Sequence, residues 1–229
     1  MNDIYLLDCS VLDDDSVFNK YYNLMSAYRK NKIDRLIPRK SKNLSLGAGI
    51  LLDYYLRQHK LQEKEMVYSF NQSEKPYFSN YPNLHFNLSH SGNIAICVFS
   101  DKEVGCDIEQ IDKPLEDVAK RFFTENEYRY IFKNTLDSEK AERFYRIWTL
   151  KESYLKLTGK GLSGGLDSFS IKINNENNVL VEKNSNQNIC KDNVSTDTVF
   201  FKEYDFKNYK IAVCSNCNNF SPSIVQVSI

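Results

Sequence analysis

At 229 residues, the chain has room for one large domain or two small lobes. Hydrophobic residues make up 41% of it and charged residues 26%, which excludes wholesale disorder. Lysine plus arginine equals aspartate plus glutamate at 30 each, so the basic excess that a dedicated nucleic-acid binder needs is missing.

The first segment, "MNDIYLLDCSVLDDDS", has neither the cationic start nor the long apolar core of a signal peptide. No apolar run reaches membrane-spanning length. The expectation is therefore a cytoplasmic protein with no membrane partner. Cys9, Cys97, Cys106, Cys190, Cys214 and Cys217 read as free thiols in that setting. Cys214 and Cys217 form a CxxC, but no second pair has zinc-like spacing.

"DIYLLDCSVL" begins as a strand, and "SVFNKYYNLMSAYRK" follows with apolar residues at helical spacing. A basic cluster runs from Arg29 to Lys42, and "SLGAGILLDYYLRQHKL" reads as a second helix. "SFNQSEKPYFSNYPNLHFNLSHSG" is turn-rich, broken by Pro76 and Pro82. "IAICVFS" and "VGCDIEQI" are strand-like and, joined by "DKE", predict a hairpin. Two helical stretches come next, "LEDVAKRFFTENEYRYIFKN" and "SEKAERFYRIWTLKESYLKLTG". Thr124 followed by Glu127 predicts a capping box inside the first, and Gly159, Gly161, Gly164 and Gly165 end the second. "SFSIKI", "TVFFKEYDF", "YKIAVCS" and "SIVQVSI" read as strands, with an Asn-rich loop and one weak strand between the first two. Helices then a hairpin, twice over, give an α+β chain of two similar halves divided near residues 104–115.

Four clusters could carry chemistry. Ser89 and His90 in "FNLSHSG" are read as the point where a strand gives way to a turn, a place where hydroxyl, imidazole and nearby N–H groups can hold an anion. An ordinary surface turn is the simpler reading. Asp107 and Glu109 lie two apart in a strand, so both carboxylates face one side and repel unless a cation sits between them. An exposed edge strand would also accommodate them. Trp148, Glu152 and Lys156 share a helix face at i, i+4 and i+8. Glu152 with Lys156 is equally a routine stabilising pair, and the lone tryptophan is equally core. The basic cluster and Lys75 could meet phosphates or simply coat the surface. Together the clusters supply carboxylates for a hard divalent ion and cations for a polyphosphate. No P-loop, dinucleotide fingerprint or kinase motif is present.

The blocks "FNLSHSGNIAICVFSDKEVGCDIE", "RFFTENEY" and "WTLKESYLKLTGKGLSGGLDSFSI", in that order, resemble the surfactin-synthetase-activating type of 4′-phosphopantetheinyl transferase, over residues from about 29 to about 215. "KPYF" stands where that family has Gly-Lys-Pro, with Glu74 replacing the glycine. The resemblance implies an α+β fold of two pseudo-twofold lobes, each an antiparallel sheet packed with helices, 1–106 and 107–229, with the active site in the cleft between. It implies a monomer that moves the phosphopantetheine arm of coenzyme A onto a serine of an acyl or peptidyl carrier protein, with Mg²⁺. By the same resemblance Asp107, Glu109 and Glu152 would hold the metal, Lys156 the phosphates, and Ser89 and His90 the region of the 3′-phosphate. Lys75 would lie along the nucleotide, Arg29 and Lys32 would be basic contacts, and Glu127 or Glu152 would take the serine proton. Asn43 and Leu44 stand where the family has Arg and a small hydroxyl residue, which leaves Lys42 or Ser45 as replacements. A non-catalytic coenzyme A-binding protein of this fold and a magnesium phosphohydrolase are the competing readings.

Overall fold

The computed structural model describes residues 1–159, 165–174, 178–183 and 198–229. Gly161, Gly164 and Cys190 lie outside them. The chain begins with strand β1 (Asp3–Asp8), then helices α1 (Asp15–Leu24), α2 (Ala27–Asp34) and α3 (Arg39–Gln58), and a short hairpin of β2 (Tyr68–Phe70) and β3 (Pro76–Phe78). Strands β4 (His85–Ser91), β5 (Ile94–Ser100) and β6 (Val104–Gln110) follow, then helices α4 (Glu116–Phe122), α5 (Glu125–Phe132) and α6 (Asp137–Thr158). Strands β7 (Phe169–Ile173), β8 (Val179–Lys183), β9 (Phe200–Phe206), β10 (Tyr209–Ser215) and β11 (Val225–Gln226) complete it. This is the α+β composition the sequence implies.

Local chemistry sets several boundaries. The first helical stretch is two helices, not one: Met25 turns extended, and Ser26 restarts the helix by accepting a hydrogen bond from Arg29 N. Thr124 and Glu127 form the expected capping box at the start of α5. α6 ends at Gly159, whose φ of +66° only glycine adopts without strain. The last strand is far shorter than "SIVQVSI" suggests, two residues that pair in parallel with β1.

Two main sheets result, ordered β11-β1-β5-β4 and β6-β10-β9. The hairpin expected between "IAICVFS" and "VGCDIEQI" does not form. β5 pairs with β4 and β1, whereas β6 pairs with β10 in the other sheet. The tight turn lies instead at Gly92 and Asn93, where Gly92 has φ +58° and joins β4 to β5. Apart from β1 with β11, and an isolated parallel bridge from Asn2 to Phe220, the pairings among the described residues are antiparallel.

Period-2 alternation sorts the side chains into layers. Tyr5, Leu7, Ala95, Cys97 and Phe99 pack on α3, while Ile4, Leu6, Ile94, Ile96 and Val98 meet Val104, Cys106, Ile108, Ile211 and Val213 of the second sheet. Ala212, on the reverse face of β10, joins Phe144, Ile147 and Leu150 of α6 in a third core. The order is helix, sheet, sheet, helix. Gly105 lets α6 come close on the outer side: a Cβ there would run into the Ser153 carbonyl oxygen and the Leu157 amide.

Candidate active site

β4 and β6 meet at the seam between the sheets without a shared backbone ladder. Side chains spaced two apart along β4 bridge the seam instead. Cys106 N donates to Asn87 Oδ1 (3.0 Å), Ser89 Oγ donates to Asp107 Oδ1 (2.8 Å), and Ser91 Oγ donates to Glu109 Oε2 (2.7 Å). The Asn-x-Ser-x-Ser alternation inside "FNLSHSG" encodes this zipper. Sequence reading singled out Ser89 but missed Asn87 and Ser91, although their period of two was visible.

α6 crosses this seam because Gly105 admits it. Lys156 Nζ donates to Asp107 Oδ1 (2.6 Å) and to Ser89 Oγ (2.9 Å). Asp107 is 2% exposed, and its second oxygen, Oδ2, is buried with no protein partner. Leaving a carboxylate oxygen unpaired in the interior is costly. Burial, then the charge of Asp107, push the Glu109 carboxyl up to about 7. The same two causes, in the same order, raise Glu152. The charge of Asp107 thus disfavours ionisation of both Glu109 and Glu152 beside its own orphaned oxygen, and this donor set suits a hard divalent cation. As the side chains lie, no group of three His, Cys, Asp or Glu among the described residues encloses a metal position. Lys156 is the positive charge that Asp107 holds in this arrangement.

The other expected residues fall out differently. Ser89 and His90 are not in a turn; both lie within β4, so they point to opposite faces. His90 belongs to the face of Phe86 and Leu88, toward α3, and its cross-strand partner Ala95 lies in van der Waals range of a side chain at Gly47 of that helix. Desolvation, then Lys156 and Lys32, lower the His90 imidazole. Lys32 is itself lowered by desolvation and by Arg29. Both Lys32 and Lys156 thus act on His90, although Lys156 lies with Ser89 on the opposite face of β4. Arg29, expected as a basic contact, is buried instead. Its side chain is buried between Tyr28 and Tyr68, 3.9 Å from Glu63 Oε1.

Lys75 also departs from the expectation. Its amine donates to Glu103 Oε2 (2.7 Å), Val104 O (3.1 Å) and Leu157 O (3.4 Å), so three protein oxygens claim it. Glu127 is a further correction. Neither it nor Lys151 has an exposed side chain, and Lys151 Nζ donates to both its oxygens (2.6 and 2.8 Å). Thr124 N and Ile171 N donate to the same carboxylate. With every lone-pair direction occupied and no exposed surface, this carboxylate ties α5, α6 and β7 together. Trp148 packs with Phe123 and Phe144 in the core, as the simpler reading had it. Asn43 is likewise taken, bridging Arg39 and Asp13.

A model of the 4′-phosphopantetheinyl transferase superfamily matches residues 103–214, which carry β6 and α6. The chain is 32% identical over 212 residues to 4′-phosphopantetheinyl transferase Sfp of Bacillus subtilis (strain 168), covering 91% of this chain and 90% of that one. It is 31% identical over 217 residues to 4′-phosphopantetheinyl transferase gsp of Aneurinibacillus migulanus, covering 94% and 85%. Over 132 residues it is 33% identical to 4′-phosphopantetheinyl transferase HetI of Nostoc sp. (strain PCC 7120 / SAG 25.82 / UTEX 2576), covering 55% of each.

Proposed function

The chain belongs to the 4′-phosphopantetheinyl transferase family, and from that premise we propose that it transfers the phosphopantetheine arm of coenzyme A to a carrier-protein serine with Mg²⁺. The observation that carries the reading is the buried, unpartnered Asp107 Oδ2 beside Glu109, Glu152 and Lys156.

Asp107, Glu109 and Glu152 are the residues that would hold Mg²⁺, which when bound supplies positive charge against the pyrophosphate oxygens. Lys156 adds a second positive charge: its ammonium releases Asp107 and donates to a phosphate oxygen. Ser89 stays on Asp107 and fixes its orientation. Lys32 and His90 hold the 3′-phosphate on the other face of β4. The serine oxygen of the carrier attacks the phosphorus bearing the pantetheine arm, the bond to the bridging oxygen breaks, and adenosine 3′,5′-bisphosphate leaves. Glu152 is the carboxylate left to accept the serine proton, because Glu127 is sealed against Lys151. Its raised proton affinity suits it to that task. One charge pair at 4 Å is worth about 4 kcal/mol at an effective dielectric of 20. The cations therefore offset much of the repulsion between nucleophile and polyphosphate.

The protein acts as a monomer of two lobes, 1–106 and 107–229, in the cytoplasm, on acyl or peptidyl carrier proteins. Among the described residues no helix is long and apolar enough to cross a membrane. Intact-mass spectrometry of an apo carrier protein incubated with the enzyme, coenzyme A and Mg²⁺ tests the reading. The expected result is a gain of one phosphopantetheine, lost with chelator and with Asp107→Ala. Coenzyme A binding without any mass gain across several carriers would favour a non-catalytic binding protein. Phosphate release without a carrier would favour a hydrolase.

A further inference from the structure

Glu63 is an unexplained buried charge. It is 0% exposed and stands outside the carboxylate cluster of β6 and α6. Its Oε2 accepts from Ser26 N at 2.6 Å, and its Oε1 accepts from Ser26 Oγ at 2.8 Å and from Tyr68 Oη at 2.6 Å. Its own amide donates to Asp53 Oδ1 of α3 at 3.0 Å. Ser26 Oγ passes the contact on, accepting from Arg29 N at 3.1 Å. A single carboxylate thus fastens the start of α2 to α3 and to β2.

Interior carboxylates are kept at a cost of several kcal/mol unless their partners are well made. Two of the three hydrogen bonds to the carboxylate come from Ser26, the N-cap of α2, the helix that carries Arg29 and Lys32. Arg29 lies against α3 at Gly49, where a Cβ would meet its side-chain carbons at 3.2 and 3.3 Å. Two residues earlier on the same helix, Gly47 lies over Ala95, the cross-strand partner of His90. α3 is therefore the plate to which both α2 and the His90 end of β4 are fixed. α2 is tied to that plate through Ser26 and Glu63, and through the packing of Arg29 on Gly49.

We propose that Glu63, which touches neither coenzyme A nor the reacting atoms, is a positioning residue for the phosphate monoester subsite formed by Lys32 and His90. The inference rests on the reading that coenzyme A is the substrate and that its 3′-phosphate lies at these two residues. Arg29 is then a buried strut, neutralised by Glu63 and wedged between Tyr28 and Tyr68, and Lys32 presents the charge. Glu63 governs the choice between coenzyme A and 3′-dephospho-coenzyme A, two ligands that differ only at that subsite.

The test compares binding of these two ligands by calorimetry, with transfer kinetics alongside, for the full chain and for Glu63→Gln. The native protein is expected to prefer coenzyme A by about tenfold or more. Glu63→Gln is expected to weaken coenzyme A by about tenfold and to leave 3′-dephospho-coenzyme A within about twofold. The KM for coenzyme A should rise in step while kcat at saturation stays put. Should Glu63→Gln fail to fold, Tyr68→Phe removes one of the three side-chain contacts and should give the same selective loss, about threefold. An unchanged preference in a folded variant overturns the proposal. So does a shift toward coenzyme A, the outcome if Glu63 merely dampens the positive field of Arg29. If the native protein shows no preference, the 3′-phosphate assignment itself fails, whatever the variant does.

Discussion

Two glutamates, both named as possible bases, end in opposite environments, and each makes a distinct forecast. Burial, then the charge of Asp107, raise the proton affinity of Glu152, so its charge costs the folded protein stability. Glu152→Gln should lower kcat by about a hundredfold or more, while the urea midpoint holds or rises. Glu127 is paired with Lys151 in a space closed to water. Glu127→Gln leaves a buried ammonium without its counter-charge and should lower stability by about 3–5 kcal/mol. Urea unfolding alongside single-turnover rates checks both. A Glu127→Gln protein of native stability whose chemistry has stopped would return the base role to Glu127. The sequence could not separate these residues: both are acidic residues in helical runs, and burial appears only once α5, α6 and β7 are assembled. The Thr124–Glu127 spacing did point to a cap, and a cap already occupies the carboxylate.

Elements bring the site together more than residues do. α6 supplies Glu152 and Lys156 on one face, and it reaches Asp107 only because β6 has no side chain at Gly105. Gly105→Ala places a methyl group against two backbone atoms of α6 that cannot rotate away. The expected cost is about 1–3 kcal/mol, with loss of transfer exceeding what the stability change accounts for. Thermal unfolding together with turnover of the surviving folded fraction reads this. Native turnover in Gly105→Ala would show that the helix contact does not set the Lys156–Asp107 distance. The helices, most of the strands and the shared helix face of Glu152 and Lys156 were legible in advance, since periodicity is local. The expected hairpin from Ile94 to Gln110 was not, because two neighbouring strands can enter different sheets and nothing in "DKE" says which. That misassignment hid the seam, and with it the bridging role of Asn87 and Ser91. His90 was placed beside Ser89 for a related reason: read as a turn, the pair could share a site, whereas a strand sends them to opposite faces.

Across the whole molecule, one small ionic tie links parts far apart in the chain. Glu103 lies just before β6 and accepts from Lys75, ahead of β3, while Lys75 also reaches the Leu157 carbonyl near the end of α6. His85 at the start of β4 lies 3.1 Å from the other Glu103 oxygen. The His85 hydrogen bond, with Lys75 after it, holds the Glu103 carboxyl down at about 2. A carboxyl lowered on folding contributes stability that is present above its unfolded value, near 4.3, and is lost as pH falls toward the folded value. The window is therefore roughly pH 4.3 down to 2. Because the Glu103 side chain is 53% exposed, solvent screening reduces the contribution to about 1 kcal/mol. Urea midpoints measured at intervals from pH 6 to 2.5 should fall more steeply for the native protein than for Glu103→Gln. The two curves should converge toward the acid end, as protonation begins to remove the charge. Parallel curves across the whole range would mean that the tie contributes nothing to holding the hairpin, β6 and α6 in one arrangement. The positions of Asp107 and Lys156 would then depend on Gly105 and the seam alone.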